Sequence, residues 1–247
     1  MWRWIAVAGG LRDLFGDAVL PLALDVSRPE QVQQVMERAY SHFGGLDVLV
    51  NNAGYSLMAA VEEASDEQIR DLFDVNYLGM VRVLRAALPH FRQQGNGHIL
   101  GVSSGLAIGS MAMIGFYSAT KSAVEALHES LAQEVRALGI RVTLVEPGVY
   151  ATDFGKSATI ADVLEPYAEL RTEFRAHLTS LEFGDPVATA EAILKLVDSN
   201  NPPLRLALGS HILPRARAIY ADRIATWEAW ADVANAAQGH SHIGPRS

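Results

Sequence analysis

The sequence has no cysteine. That excludes disulfides, thiolate metal centres and a cysteine nucleophile, and it fits a reducing cytoplasm. Lysine is almost as scarce. It occurs only at positions 121, 156 and 195, the other seventeen of the 20 basic residues being arginine. Acidic residues outnumber basic ones, 28 to 20, and the net charge of −8 argues against nucleic acid as a partner. No apolar run reaches the roughly 20 residues of a membrane-spanning helix. The opening Met-Trp-Arg-Trp-Ile does not read as a secretory signal. The eight histidines show no His-Glu-x-x-His or comparable spacing, so no metal site is expected. His240 and His242, in a polar tail over residues 237–247, carry at most weak adventitious metal binding.

What is present describes a globular protein: 247 residues, 49% hydrophobic and 19% charged, enough for one α/β domain with a large core. Ile5–Ala8 reads as a short strand ending at Gly9-Gly10, and Val19–Leu24 as a second, closed by Asp25. Ser27-Arg-Pro-Glu30 resembles a capping box opening a helix through Val32, Val35 and Met36 that Gly44-Gly45 stops. The run Leu46–Val50 suits a parallel strand buried on both faces. Ser65, with Gln68 three residues on, opens a helix to about Phe91. A strand is expected at His98–Val102, a helix from Tyr117 to about Leu138, and a strand at Ile140–Val145 broken by Glu146-Pro-Gly148. Residues 153–183 have no clean period. Asp185-Pro186 caps a helix to about Val197, Leu204–Leu208 is a last strand, and 213–236 is helical. Alternating strands and helices with short connections predict a doubly wound parallel sheet with helices on both faces.

Tyr117-Ser-Ala-Thr-Lys121 is the stretch that points to chemistry. Four residues apart on a helix, the phenol and the amine share one face. An ammonium there favours the phenolate and lowers the tyrosine pKa from about 10. Such a tyrosine exchanges a proton with an alcohol or a developing alkoxide. Taken alone, such a pair is usually a half-exposed surface contact. Thirteen residues upstream, however, Ser103-Ser104-Gly105 ends the strand His98–Val102.

A serine, a gap and then Tyr-x-x-x-Lys resembles the short-chain dehydrogenase/reductase family, and Ser104, Tyr117 and Lys121 match that signature in spacing. Asn51-Asn52-Ala53-Gly54, Asn76 and Pro147-Gly148 follow the family's order, so the resemblance is close over about residues 20–155. It implies a Rossmann-like fold and Tyr117 as general acid/base. It implies that Lys121 tunes the tyrosine and bonds the nicotinamide ribose, and that Ser104 donates to the substrate oxygen, with Ser103 as its neighbour. Asn76 would hold a water in the proton path, or else be a satisfied core asparagine. The resemblance further implies that Asn51, Asn52, Ala53 and Gly54 lie along the cofactor, that Asp25 and Val26 contact the adenine, and that Pro147, Gly148 and Thr152 hold the nicotinamide carboxamide. The expected reaction is hydride transfer between NADP or NAD and a small, apolar carbonyl or alcohol. Met111, Met113, Ile114, Phe116, Tyr150 and Phe154 read as a pocket lining or as plain core. Residues 153–183 would cover the substrate, and the helices at 66–91 and 117–138 would pair subunits into a homodimer or homotetramer.

One family feature is missing. The Gly-rich strand–turn–helix that faces the pyrophosphate has no counterpart: Gly9-Gly10 is followed by Leu-Arg-Asp-Leu-Phe-Gly16. Counted back from Asp25, residues 3–8 fit the family's second strand, with the first βα unit absent. Alternatively Ile5–Gly10 is an eroded first strand. The start could be misassigned, the chain could be an inactive remnant, or the N-terminal strand could slide into the vacant place. Weak dinucleotide binding is expected of the 247-residue chain. The competing reading is a catalytically inactive protein of this fold acting through interactions. Arg12, the nearest base to Gly9-Gly10, favours NADP over NAD.

Overall fold

Four parallel strands form the sheet in the order β1-β3-β4-β6. They are β1 (Val48–Asn51), β3 (Gly97–Val102), β4 (Ile140–Pro147) and β6 (Arg205–Leu208). Two two-residue strands, β2 (Leu57–Met58) and β5 (Thr159–Ile160), pair with each other away from the sheet. The computed structural model describes residues 5–239. His240, His242 and the rest of the tail from 240 on lie outside the described residues, as do residues 3 and 4 of the expected second-strand segment.

The helices, in chain order, are α1 (Ile5–Phe15), α2 (Pro29–Phe43), α3 (Asp66–Phe73), α4 (Met80–Gln94), α5 (Gly105–Ile108), α6 (Gly115–Val135), α7 (Ala168–Ser180), α8 (Ala188–Val197), α9 (Ile212–Ala229) and α10 (Ala231–Gln238). The capping box expected at Ser65 forms in both directions: Gln68 N–H donates to Ser65 Oγ at 3.1 Å and Ser65 N–H to Gln68 Oε1 at 3.0 Å. α2, α4 and the turn after α6 stop at Gly44, Gly95 and Gly139, each in the left-handed region that a side chain disfavours.

The central strands β3 and β4 are buried along almost their whole length. α2, α4 and α6 cover them through Val32, Met36, Leu84, Phe91, Val124 and Leu131. On the other side Leu100 and Val145 pack against Leu196 of α8. The result is the expected Rossmann-like α/β layering.

Several expectations fail here. Ile5–Ala8 is not a strand but the first turns of α1, and Gly9-Gly10 lies inside that helix. Val19–Leu24 is not a strand either: it belongs to neither sheet. A short apolar run becomes a strand only when a neighbour pairs its backbone. Among the described residues nothing pairs with the outer edge of β1. β1 is therefore an edge strand, not the doubly buried one its apolar run implies, and Val48 and Val50 are 40% and 51% exposed. None of the described N-terminal residues has slid into the sheet.

Smaller corrections follow the same logic. Arg28, not Ser27, is the residue before α2, because the Ser27 hydroxyl bonds the Asp25 carboxylate at 2.6 Å. The expected helix to Phe91 is interrupted by one wide, π-type stretch at Asp74–Gly79, which contains Asn76. Asp185 accepts from Val187 N–H at 2.8 Å in a turn, and α8 starts only at Ala188.

Candidate active site

Because the sheet is parallel, β1, β3 and β4 all end on the same side. Asn51–Gly54, Ser103-Ser104 and Pro147-Gly148 follow those three ends directly. Ligands of open α/β sheets bind outside the carboxyl ends of the strands. The residues singled out by sequence thus gather where a ligand is expected.

α6 enters this region carrying Tyr117 and Lys121, both buried. Ser104 precedes α5, its Oγ accepting from Leu106 N–H at 3.2 Å. Ser104 also pulls the Tyr117 phenol towards the phenolate. Burial outweighs that help and pushes the phenol up to about 12. The lowered tyrosine pKa expected from the neighbouring amine is therefore not what this conformation shows. Burial also pulls Lys121 down to about 8. Its Nζ donates to the Val102 carbonyl at 2.8 Å and stands 5.8 Å from the centre of the Tyr117 ring.

Asn76 is fully buried and satisfied. Its Nδ2 donates to the Tyr55 carbonyl at 2.8 Å and to Thr120 Oγ1 at 3.2 Å, and its Oδ1 accepts from Tyr55 N–H at 3.0 Å. It brackets the strand-end loop onto α6. Gly54 lies directly over this bracket. A Cβ there would come within 3.0 Å of Asn76 Oδ1 and 3.6 Å of Lys121 Nζ. Asn51 anchors the same loop through Nδ2 to the Met80 carbonyl at 3.0 Å, while Asn52 and Ala53 face outward.

Pro147 and Gly148 lie alongside. Gly148 N–H donates to the Leu208 carbonyl at 2.9 Å, and a Cβ at Gly105 would approach the Pro147 carbonyl at 3.6 Å. The structure does not bring every expected residue into this group. Asp25 is exposed and occupied by Ser27 and Arg28. Val26 packs against Gly79 in the main core. Thr152 is exposed and accepts from Phe154 N–H at 3.3 Å.

Residues from the segment after β4 close the site. Phe174 of α7 packs in one apolar cluster with Ala60, Met113, Ile114 and Tyr117, with Met111 beside it. The Phe154 ring stands 5.7 Å from that of Tyr117, which keeps only 6% of its surface exposed. Phe116 points instead into the cluster around Leu57 and Leu72. Two features escaped the sequence. Met113 has φ +66, rare for a side-chain-bearing residue, and its carbonyl accepts from Ala59 N–H at 2.9 Å. The buried pair Glu63–Arg171 ties the loop after β2 to α7. Neither has a local sequence signature.

The nicotinamide end of a dinucleotide fits these residues. The Ser103 hydroxyl is buried without a partner among the described residues, Lys121 has amine protons beyond the one given to Val102, and Gly54 leaves a side-chain-free approach. The pyrophosphate end finds no strand–glycine turn–helix among the described residues.

A parallel α/β sheet whose strand ends gather a tyrosine, a lysine and a serine is the architecture of a dinucleotide-linked oxidoreductase. The profile of the short chain dehydrogenase family matches residues 4–162, and the chain belongs to that family. It is 34% identical over 193 residues to a 3-ketodihydrosphingosine reductase of Bacteroides thetaiotaomicron, spanning 76% of this chain and 72% of the relative. A short-chain dehydrogenase from Streptomyces avermitilis superposes with a TM-score of 0.85 at 36% identity, covering 92% of this chain and 84% of the other. An alcohol dehydrogenase from Thermococcus sibiricus, solved with 5-hydroxy-NADP, superposes with a TM-score of 0.66 at 27% identity over 82% and 79%. The protein is an NAD(P)-dependent oxidoreductase of this family. Among the described residues no helix is long and apolar enough to cross a membrane.

Proposed function

We propose that this chain interconverts an apolar carbonyl compound and its alcohol, with Tyr117 as general acid/base, Ser104 as the donor to the reacting oxygen and Lys121 beside them. The observation that carries the reading is the convergence of Ser104, Tyr117 and Lys121, all buried, at the carboxyl ends of the parallel strands. The nicotinamide dinucleotide supplies or accepts the hydride.

In the reductive direction Tyr117 gives its proton to the carbonyl oxygen as that oxygen gains charge, and the product is the neutral alcohol. Ser104 donates to the same oxygen and stabilises the developing alkoxide. A phenol held protonated by burial rests in the acid form that this direction requires. In the oxidative direction the phenolate takes the alcohol proton, and the Lys121 ammonium is the cation that favours it. Lys121 also reaches the ribose side through its free protons. Gly54, Pro147 and Gly148 would shape the wall the nicotinamide meets, Asn52 and Ala53 would lie along its outer path, and Thr152, Asp25 and Val26, which stand apart in this conformation, would serve the carboxamide and the adenine only after the segments that carry them shift. Asn76 holds the loop that carries Gly54.

Met113, Ile114 and Phe174 around Tyr117 support an apolar substrate, as does the likeness to a 3-ketodihydrosphingosine reductase. The NADP derivative held by the Thermococcus relative supports NADP, with Arg12 the base nearest the expected ribose end. α4 and α6 are the helices through which the chain would form a homodimer or homotetramer. A second reading, an inactive interaction protein, draws on the missing pyrophosphate turn among the described residues.

The test is a screen of aldehydes, ketones and alcohols with both cofactors, followed by nicotinamide absorbance. The expected result is turnover with a lipophilic substrate that falls about 10²–10⁴-fold in Tyr117→Phe. Turnover unaffected by that change would refute the role of Tyr117, and no turnover with any pair would favour the second reading.

A further inference from the structure

Behind the site, three carboxylates converge on one guanidinium. Arg205 of β6 reaches Glu146 of β4 at 3.2 Å, Glu125 of α6 at 3.0 Å and Glu129 of α6 at 2.6 Å. The Glu146 and Glu125 side chains are only 5% and 14% exposed. Were all three acids ionised, two negative charges would stay uncompensated beside a buried strand. Glu125 Oε1 is buried and has no donor partner among the described residues. Glu146 lies within hydrogen-bonding reach of Glu125. Two adjacent carboxylates cannot both ionise cheaply, and a proton on one supplies the donor that the other lacks.

We propose that Glu146 and Glu125 share one proton and form a clamp between β4 and α6 that sets Pro147-Gly148 in register with Tyr117 and Lys121. Glu125 is one turn after Lys121 on α6, and Glu146 immediately precedes Pro147. Glu146 is a positioning residue: it acts through the backbone it fixes. What the clamp positions rests on the proposed function; the shared proton does not.

The charged groups around Glu146 are Glu125 and Glu129 on α6 and Arg205 on β6. His128, also on α6, turns its ring to Gly101 of β3 and is kept towards the neutral form by burial. Burial first, then Glu125, pushes Glu146 up to about 7, against the pull of Arg205. The folded chain thus holds a proton that the unfolded chain has released above its ordinary value of 4.5. Stability from this group is fully present below that value, falls as pH rises to about 7, and then levels off.

The test is thermal unfolding of the full chain against pH, without cofactor, for wild type, Glu146→Gln, Glu146→Ala and Glu125→Gln. Glu146→Gln keeps a donor across the pair and removes the titration, whereas Glu125→Gln leaves Glu146 raised by burial. Relative to wild type, Glu146→Gln is expected to gain in Tm as pH rises from about 5 to about 8, and Glu125→Gln to gain by less. Glu146→Ala is expected to be less stable throughout. Infrared spectra near pH 6 should show in wild type a buried carboxylic-acid carbonyl band that Glu146→Gln lacks. A wild-type pH slope retained in Glu146→Gln overturns the clamp, as does absence of that band from wild type, a reading that needs no variant to fold. In a turnover assay, KM for cofactor should rise with pH in wild type and stay flat in Glu146→Gln. If only this last arm fails, the clamp stands and its link to the active site falls.

Discussion

Lys121 Nζ is bonded to the carbonyl of Val102 at 2.8 Å, and not to the phenol of Tyr117, whose ring centre is 5.8 Å away. Lysine and tyrosine share a helix face as their spacing requires, yet each is perturbed chiefly by burial. The site is closed: burial keeps the phenol protonated and weakens, without abolishing, the charge on the amine at neutral pH.

That arrangement makes Lys121 costly to stability. Its pKa falls from 10.5 to about 8 on folding, equivalent to about 3 kcal/mol of disfavoured charging. Between those values the unfolded chain binds the extra proton, so stability rises as pH climbs from about 8 towards 10.5 and is lowest below about 8. Lys121→Met loses a charge-assisted hydrogen bond of about 1.5–3 kcal/mol but removes the charging penalty. It should leave the urea midpoint at pH 7 at or above that of wild type while abolishing turnover. A lower midpoint would show that the amine is better solvated than its surroundings indicate.

Asn76→Ala leaves the Tyr55 N–H and carbonyl without their side-chain partners. With the bond to Thr120 lost as well, three hydrogen bonds go at about 0.5–1.5 kcal/mol each, so a loss of about 2–4 kcal/mol is expected, read by urea unfolding. Turnover should fall as well, since Gly54 adjoins Tyr55. A variant within about 0.5 kcal/mol of wild type would mean the loop is held by other contacts.

Glu63 and Arg171 form an ion pair with side chains 0% and 7% exposed. Burial disfavours the Glu63 charge, but the N–H groups of Ala60 and Leu164, at 2.8 and 3.0 Å, and Arg171 outweigh it and hold its pKa below 4.5. Its stabilisation is present above that value and is lost as pH falls through the depressed one. Glu63→Ala should cost about 3–5 kcal/mol by stranding the guanidinium and should expose α7 to proteolysis. Adding Arg171→Met should restore much of the loss, a coupling that a double-mutant cycle measures.

Dinucleotide affinity should be weak. With Gly9-Gly10 inside α1, the described residues offer no glycine turn of backbone amides to the pyrophosphate. Fluorescence titration with NADPH and NADH should give Kd values of about 10⁻⁴ M or weaker, some 5.5 kcal/mol or less of binding. Micromolar binding would sink this expectation and mean that another group of amides holds the phosphates.

The sequence by itself determined the elements whose signals are local. The Ser65–Gln68 box, the glycine stop at 44, the apolar runs of β3 and β4 and the shared face of Tyr117 and Lys121 depend on residues within a turn or a strand of one another. It also placed Asn51–Gly54, Ser104 and Pro147 together, because parallel strands end on one side. Only the tertiary structure decided what depends on distant neighbours. Ile5–Ala8 became helix and Val19–Leu24 stayed unpaired because a strand exists only against another strand. Tyr117 lost its expected acidity because Phe154 and Phe174, far along the chain, take water from it and so remove the solvation a phenolate needs. Glu63 meets Arg171 across 108 residues, and no spacing within a helix or strand foretells a pair made by the fold.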